Sequence, residues 1–376
     1  MRRTFKYRLL GNRQTFDNAS NWLELCRQLY NAGLIERREA WKMQRVSVNS
    51  YSQMAQLPDV KKTNHEYSEV GSQVLQEVLD RLDKAYKAFF RRIKNGENAG
   101  FPRFKGKGRY DSFTLKNCGW KLDGRYLTIR NVGMFKIRLS REIQGDIKTV
   151  IVRKEATGKW YVCFSCDNVP EKKLAVSDKS IGLDVGIKSF LVDSNGKTVD
   201  NPAYHKKTLC DLRRKQRVLA RRKKGGSNRN KARILVSKAH EKVKNQRRDF
   251  LQKLSTEYIR NYGLICVEDL NIKGLAKNHN LARSINDAGW ATFISMLEYK
   301  AEEAGRRVVK ISRFEPSSKT CSACGSINHN LKLSDRQWMC DRCGTLHDRD
   351  FNAAKNICRV GQTLQEQTYA ITQSVS

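Results

Sequence analysis

The sequence has no apolar run approaching the roughly 20 residues that a membrane-spanning helix needs. Its first residues, MRRTFKYRLLGNRQ, lack the apolar stretch of a secretory signal. A soluble, cytoplasmic protein with no membrane partner is expected. Acidic residues are scarce: 38 Asp and Glu stand against 73 Lys and Arg, a formal charge of +35. Such an excess strains a compact fold by self-repulsion, so a polyanion is expected to neutralise it, nucleic acid first. The eleven cysteines are odd in number and spread over 376 residues, which argues against a disulfide scaffold and for metal binding in a reducing compartment.

What is present changes character along the chain. Residues 12 to 48 and 66 to 95 have helical periodicity; in the second, Val74, Val78, Leu82, Ala85, Tyr86, Phe89 and Ile93 form an apolar stripe. The stretch NGENAGFPRFKGKGR breaks the pattern. From about 110 to 168 short alternating runs follow, with turns at Asp123-Gly124 and Thr157-Gly158, and a small β-barrel is expected. TFKYRLL near the N-terminus can supply one of its strands, making residues 12 to 100 a helical insertion. Beyond residue 179 the order is two or three strands, a long basic helical region at 203 to 260, the strand YGLICVEDL, a helix near 289 to 305, the strand RRVVKIS, a cysteine cluster and a last helix. Without the cysteine insert this is β-β-β-α-β-α-β-α, the order of an RNase H-like fold. Residues 363 to 376 are polar and expected to be a disordered tail.

CSACG and CDRCG give C-x2-C-x15-C-x2-C at Cys321, Cys324, Cys340 and Cys343. Two residues between thiolates form a tight knuckle, and four thiolates make a closed tetrahedral site for one structural Zn2+. Gly325 and Gly344 follow the knuckles where positive φ is needed. His329 and His347 are near but unnecessary. Cys163 and Cys166 share the spacing but lie in an alternating strand, where residues three apart face opposite ways.

Three acids stand at element ends: Asp184 in IGLDVGIKSF, Glu268 closing LICVE, and Asp350 opening RDFNAAKNI. Each alone reads as a bend carboxylate, a solvated strand end or a helix cap. In an RNase H-like sheet they converge at one end, where oxygen ligands suit two Mg2+ ions and phosphodiester hydrolysis. Asp269 and Asp348 are second choices, and Asn352 reads either as a residue positioning a ligand or water or as an exposed helix asparagine. Six scattered histidines make no second nuclease module.

At these residues the sequence resembles the TnpB proteins of insertion sequences, the OrfB family related to type V CRISPR effectors. GFPRFKGKGRYDSF, IGLDVGIKSF, LARRKKGG, KVKNQRRDFLQKLS, VEDLNIKGL, INDAGW, PSSKTCSACG and HDRDFNAAKNI carry the likeness, in order. The resemblance implies a multidomain α+β chain: a β-barrel wedge domain (1–11 and 101–175), a helical recognition insertion (12–100), a RuvC nuclease domain (176–315 and 346–362) and a zinc-ribbon insert (316–345). It implies RNA-guided cleavage of double-stranded DNA beside a short transposon-adjacent motif, with a transposon-end guide RNA and one protein per RNA. Asp184, Glu268 and Asp350 take the catalytic, Mg2+-binding roles. Tyr51, Gln76 and Thr114 fall where the family reads its adjacent motif.

The basic run 206 to 233, with Arg213, Arg214, Arg221, Arg222, Lys223 and Lys224, fits phosphate binding; a solvated helix face is the alternative. Phe101, Phe104, Tyr110 and Phe113, interleaved with basic residues, suit either base stacking or a barrel core. Two rival functions stay open: an RNase H-fold transposase acting without RNA, and an RNA-guided DNA-binding repressor that does not cut, which the intact acids disfavour.

Overall fold

The computed structural model describes residues 1–374 except Leu333, and leaves aside the side chains of Lys273 and of residues 368–374. The chain forms two compact units, Met1–Pro170 and Glu171–Ser376.

In the first unit, β1 (Arg3–Leu10) alternates so that Phe5, Tyr7 and Leu9 are buried. Asn12 ends it by accepting from the Thr15 amide, capping α1 (Arg13–Gln44). Two short helices, α2 (Ser50–Ala55) and α3 (Leu57–Thr63), lead to α4 (Ser72–Lys94). Val74, Val78 and Leu82 of the α4 stripe are buried, Phe89 is half-buried and Ile93 is exposed. Six strands follow: β2 (Ser112–Leu115), β3 (Trp120–Asp123), β4 (Tyr126–Ile129), β5 (Gly133–Arg138), β6 (Asp146–Lys154) and β7 (Trp160–Asp167). The antiparallel sheet runs β2-β6-β7-β1-β5-β4-β3. The N-terminal strand therefore sits inside the sheet, and α1 to α4 interrupt it in sequence. Among the described residues no ladder joins β2 to β3, so the hydrogen bonding is that of a sheet. Gly124 and Gly158 hold positive φ at the two anticipated turns. Cys163 and Cys166 lie on opposite faces of β7 and are unbridged.

The second unit is built on β8 (Ser180–Val185), β9 (Ser189–Asp193), β10 (Thr198–Asp200), β11 (Leu264–Glu268) and β12 (Arg307–Ile311). Their order is β10-β9-β8-β11-β12. β8, β11 and β12 are parallel, while β9 and β10 are antiparallel to their neighbours. This is the strand order of an RNase H-like fold. The long basic region is two helices, α5 (Tyr204–Arg221) and α6 (Ser227–Asn261), split where Gly225 takes positive φ. After β11 come α7 (Ile272–Leu275), α8 (His279–Ala288) and α9 (Trp290–Ala304). Ile265 and Val267 of β11 pack with α6 and α9, whereas Leu264 and Cys266 pack on the other face with Ile357.

Ile357 belongs to the last helix, α10 (Arg349–Ser374). It lies so close to β8 that a Cβ on Gly182 would fall 2.1 Å from the Ala354 carbonyl oxygen, so only glycine fits there. The helix continues to Ser374, which corrects the disordered tail expected from 363; residues 375 and 376 lie outside the described residues. A hairpin of β13 (Gln337–Met339) and β14 (Leu346–Asp348) precedes it, so the cysteine insert reaches Asp348, beyond the expected 345.

Candidate active site and zinc centre

The parallel register of β8 and β11 places Leu183 beside Val267, so the next residues, Asp184 and Glu268, are neighbours at the carboxyl end of the sheet. α10 runs antiparallel to β8, bringing its first turn to the same end. Asp184, Glu268 and Asp350 line one cavity of about 440 Å³, with Ser317, Arg336 and Arg349.

Their surroundings differ. The Asp184 carboxyl is pushed up to about 8, first by burial and then by the charges of Glu268 and Asp350. Burial also raises Glu268, against a hydrogen bond from the Ser317 hydroxyl at 2.7 Å that favours its charged form. Asp350 is held by Arg349 at 3.0 Å and Arg336 at 3.2 Å. It is not the helix cap, because Asp348 accepts the Phe351 amide at 2.9 Å. Asp269, the other near acid, is paired with Arg313.

Asn352 is buried rather than an exposed helix asparagine. Its Oδ1 accepts from the Ser322 amide at 2.9 Å, and its Nδ2 donates to the Thr320 carbonyl at 2.7 Å. Asn356 donates to the Ser317 and Thr320 carbonyls at 2.8 and 2.6 Å. Two buried asparagines on α10 thus clamp the chain that enters the cysteine insert. Sequence reasoning missed Ser317 and Asn356; the PSSKTC motif was a signal for the first alone.

The four cysteine sulfurs lie within 4.8 Å of one another. Cys321 to Cys343 and Cys324 to Cys340 are each 3.6 Å, the edge lengths that a tetrahedral thiolate site requires. Gly325 and Gly344 have φ of 78° and 68°. The group can hold zinc. His347 adds what the spacing did not reveal: buried against Trp338, its Nε2 is 3.0 Å from Cys321 Sγ, a contact that orients the thiolate. Among the described residues these cysteines alone form so tight a ligand group; the three acids share a cavity without reaching that spacing.

The other expected contacts separate. Tyr51 on α2 is 81% exposed, and Gln76 on α4 is exposed. Thr114 is buried on β2, and its hydroxyl accepts from Arg81 at 2.7 Å. Arg213, Arg214, Arg221, Arg222, Lys223 and Lys224 are all exposed along the second half of α5 and the turn after it. Arg214 also pairs with Asp211. Among the described residues no helix is long and apolar enough to cross a membrane.

Fold and site together define an RNase H-like domain with acids at its strand ends and a cysteine insert beside them. Family models match residues 163–279 ("Probable transposase"), 290–357 ("Cas12f1-like, TNB domain") and 1–45 ("Helix-turn-helix domain"). In the last, the structure has one strand and one long helix. A Streptomyces pristinaespiralis protein named "Putative RNA-guided DNA endonuclease" is 35% identical over 96% of this chain and 90% of its own. "Putative RNA-guided DNA endonuclease InsQ" of Escherichia coli K12 is 30% identical over 78% of this chain and 75% of its own. The chain belongs to the TnpB family of insertion-sequence proteins. A Cas12f1 chain solved by cryo-EM with sgRNA and target DNA has the same fold: TM-score 0.57 and 18% identity over 93% of this chain and 83% of that one.

Proposed function

We propose that this protein is an RNA-guided DNA endonuclease of a transposon, carrying a transposon-end guide RNA and cutting double-stranded DNA beside a short adjacent motif. The observation that carries the reading is the convergence of Asp184, Glu268 and Asp350 on one cavity, in a chain whose relatives are named for that activity.

The donor set fits a hard divalent cation. Carboxylate oxygens are all it offers; burial disfavours the charged forms of Asp184 and Glu268, and the charges of Glu268 and Asp350 add to this at Asp184, so a cation there is stabilising. Asp184, Glu268 and Asp350 would hold two Mg2+ ions. Such ions activate a water and stabilise a leaving oxygen in phosphodiester hydrolysis. The protein groups do the rest. The Ser317 hydrogen bond favours the charged form of Glu268 and orients it. Arg336 and Arg349 fix Asp350 and put positive charge beside an incoming phosphate. The exposed cations of α5 grip nucleic-acid backbone without reading sequence, and guide pairing reads the target. Tyr51 and Gln76, the exposed pair, remain available to the adjacent motif.

The test is to purify the protein from cells holding its transposon, sequence the RNA that accompanies it, and challenge the complex with plasmids carrying a matched target and a randomised flank. A defined RNA and cleavage confined to matched targets with one flank support the reading. Cleavage indifferent to guide match, or strand joining without RNA, contradicts it.

A further inference from the structure

A groove in the first unit has no part in that chemistry. The end of α1, residues 46–49, the last turns of α4 and the loop carrying Phe101 and Phe104 enclose about 800 Å³. Its walls are aromatic and open: Trp41, Phe90, Phe101 and Phe104 are 53%, 60%, 44% and 47% exposed. Phe101 is held in place, with Phe89 and Tyr86 meeting its ring edge-on at 5.2 and 5.4 Å. Arg38 lies 5.5 Å from the Phe104 ring centre and Arg45 lies 5.7 Å from that of Trp41. By contrast Tyr110 and Phe113, from the same aromatic run, are buried. The run divides into core and surface, and the surface half gathers here.

Charge narrows the occupant. Arg38 and Lys42 line the groove beside Glu39, while the other two cations of its lining, the buried Arg37 and the exposed Lys87, are paired with Asp83. Flat apolar rings beneath a basic rim hold bases by stacking and phosphates by charge. An apolar peptide would fill the walls and leave the rim unanswered. An open aromatic surface is also an aggregation hazard unless it is covered most of the time. That favours a resident strand over a passing one.

We infer that this groove binds unpaired bases of the RNA that the protein carries, stacked on Phe90, Phe101 and Phe104, with Arg38 and Lys42 at the phosphates. The inference rests on the guide-RNA reading but can fail without it.

The experiment uses the full-length protein reconstituted with its RNA transcribed with 4-thiouridine. Irradiation is expected to join unpaired positions to peptides containing Phe90, Phe101 or Phe104. Phe90→Ala and Phe104→Ala alter exposed rings and are expected to keep the thermal melt. Each should weaken RNA binding by about five- to 150-fold for one lost stacking contact, while the slope of log affinity against log salt is unchanged. Phe104→Tyr should bind like the parent. Retained RNA with no crosslink in the groove, or full affinity in both alanine variants, overturns this inference and leaves the guided nuclease standing. So does a dimer of the RNA-free protein that Phe90→Ala abolishes without changing RNA affinity, since the groove would then serve a second copy. Absence of any bound RNA removes both readings.

Discussion

The Ser317 hydroxyl donates to Oε1 of Glu268 at 2.7 Å, and the Ser317 carbonyl accepts from Asn356 of α10 at 2.8 Å. One residue at the root of the cysteine insert therefore touches the acid that ends β11 and the helix that carries Asp350. The cysteine insert and the acid site are joined by hydrogen bonds as well as by sequence.

Removing that link should cost catalysis before it costs binding. A hydrogen bond to a charged group contributes about 1.5–3 kcal/mol, so Ser317→Ala is expected to slow single-turnover cleavage at neutral pH by about ten- to 100-fold. RNA content and target affinity should hold. Part of the rate should return at higher pH, because Glu268 without its donor needs a higher pH to ionise, and Ser317→Thr should stay near the parent.

The insert should contain one zinc per chain by elemental analysis. His347→Ala removes the 3.0 Å contact to Cys321 and is expected to lower zinc affinity by about 10- to 100-fold. Cys340→Ser should open the chain between β12 and α10 to limited proteolysis, and slow cleavage too, because Asn352 and Asn356 then lose the carbonyls they clamp.

Asp184 sets a pH dependence of stability. Its folded value of about 8 lies above the unfolded value of about 3.9. The folded protein therefore binds the proton more tightly than the unfolded chain does. The stability this contributes is fully present below about pH 3.9 and is lost as pH rises through about 8. Thermal melts without divalent cations should show this decline between pH 5 and 9. Asp184→Asn should flatten it, and added Mg2+ should stabilise the parent most at the alkaline end.

Much of this architecture was legible because it depends on local pattern. Period-two strands with Asp-Gly and Thr-Gly turns, the C-x2-C pairs, and carboxylates at the ends of apolar strands all carry their meaning within a few residues. Contacts made through space did not. The α4 stripe continues to Ile93 by periodicity, yet Phe89 and Phe90 in its last turns line a groove. The clamping roles of Asn352 and Asn356 show only once the insert folds over them. The burial of Thr114 under Arg81 was not legible either, because it depends on α4, more than thirty positions earlier in the chain. The helix past residue 362 was missed because a polar segment shows little apolar period even when it continues an established helix.

The central claim is that three carboxylates at one end of this sheet hydrolyse guided DNA. The most direct measurement is single-turnover cleavage of a matched duplex in Mg2+ by the parent complex and by Asp184→Ala, at equal RNA loading and equal duplex occupancy. The account predicts loss of about 100- to 1,000-fold, the scale on which removing a charge-stabilising group from a transition state is felt, with target binding unchanged. Cleavage by Asp184→Ala at the parental rate would contradict it.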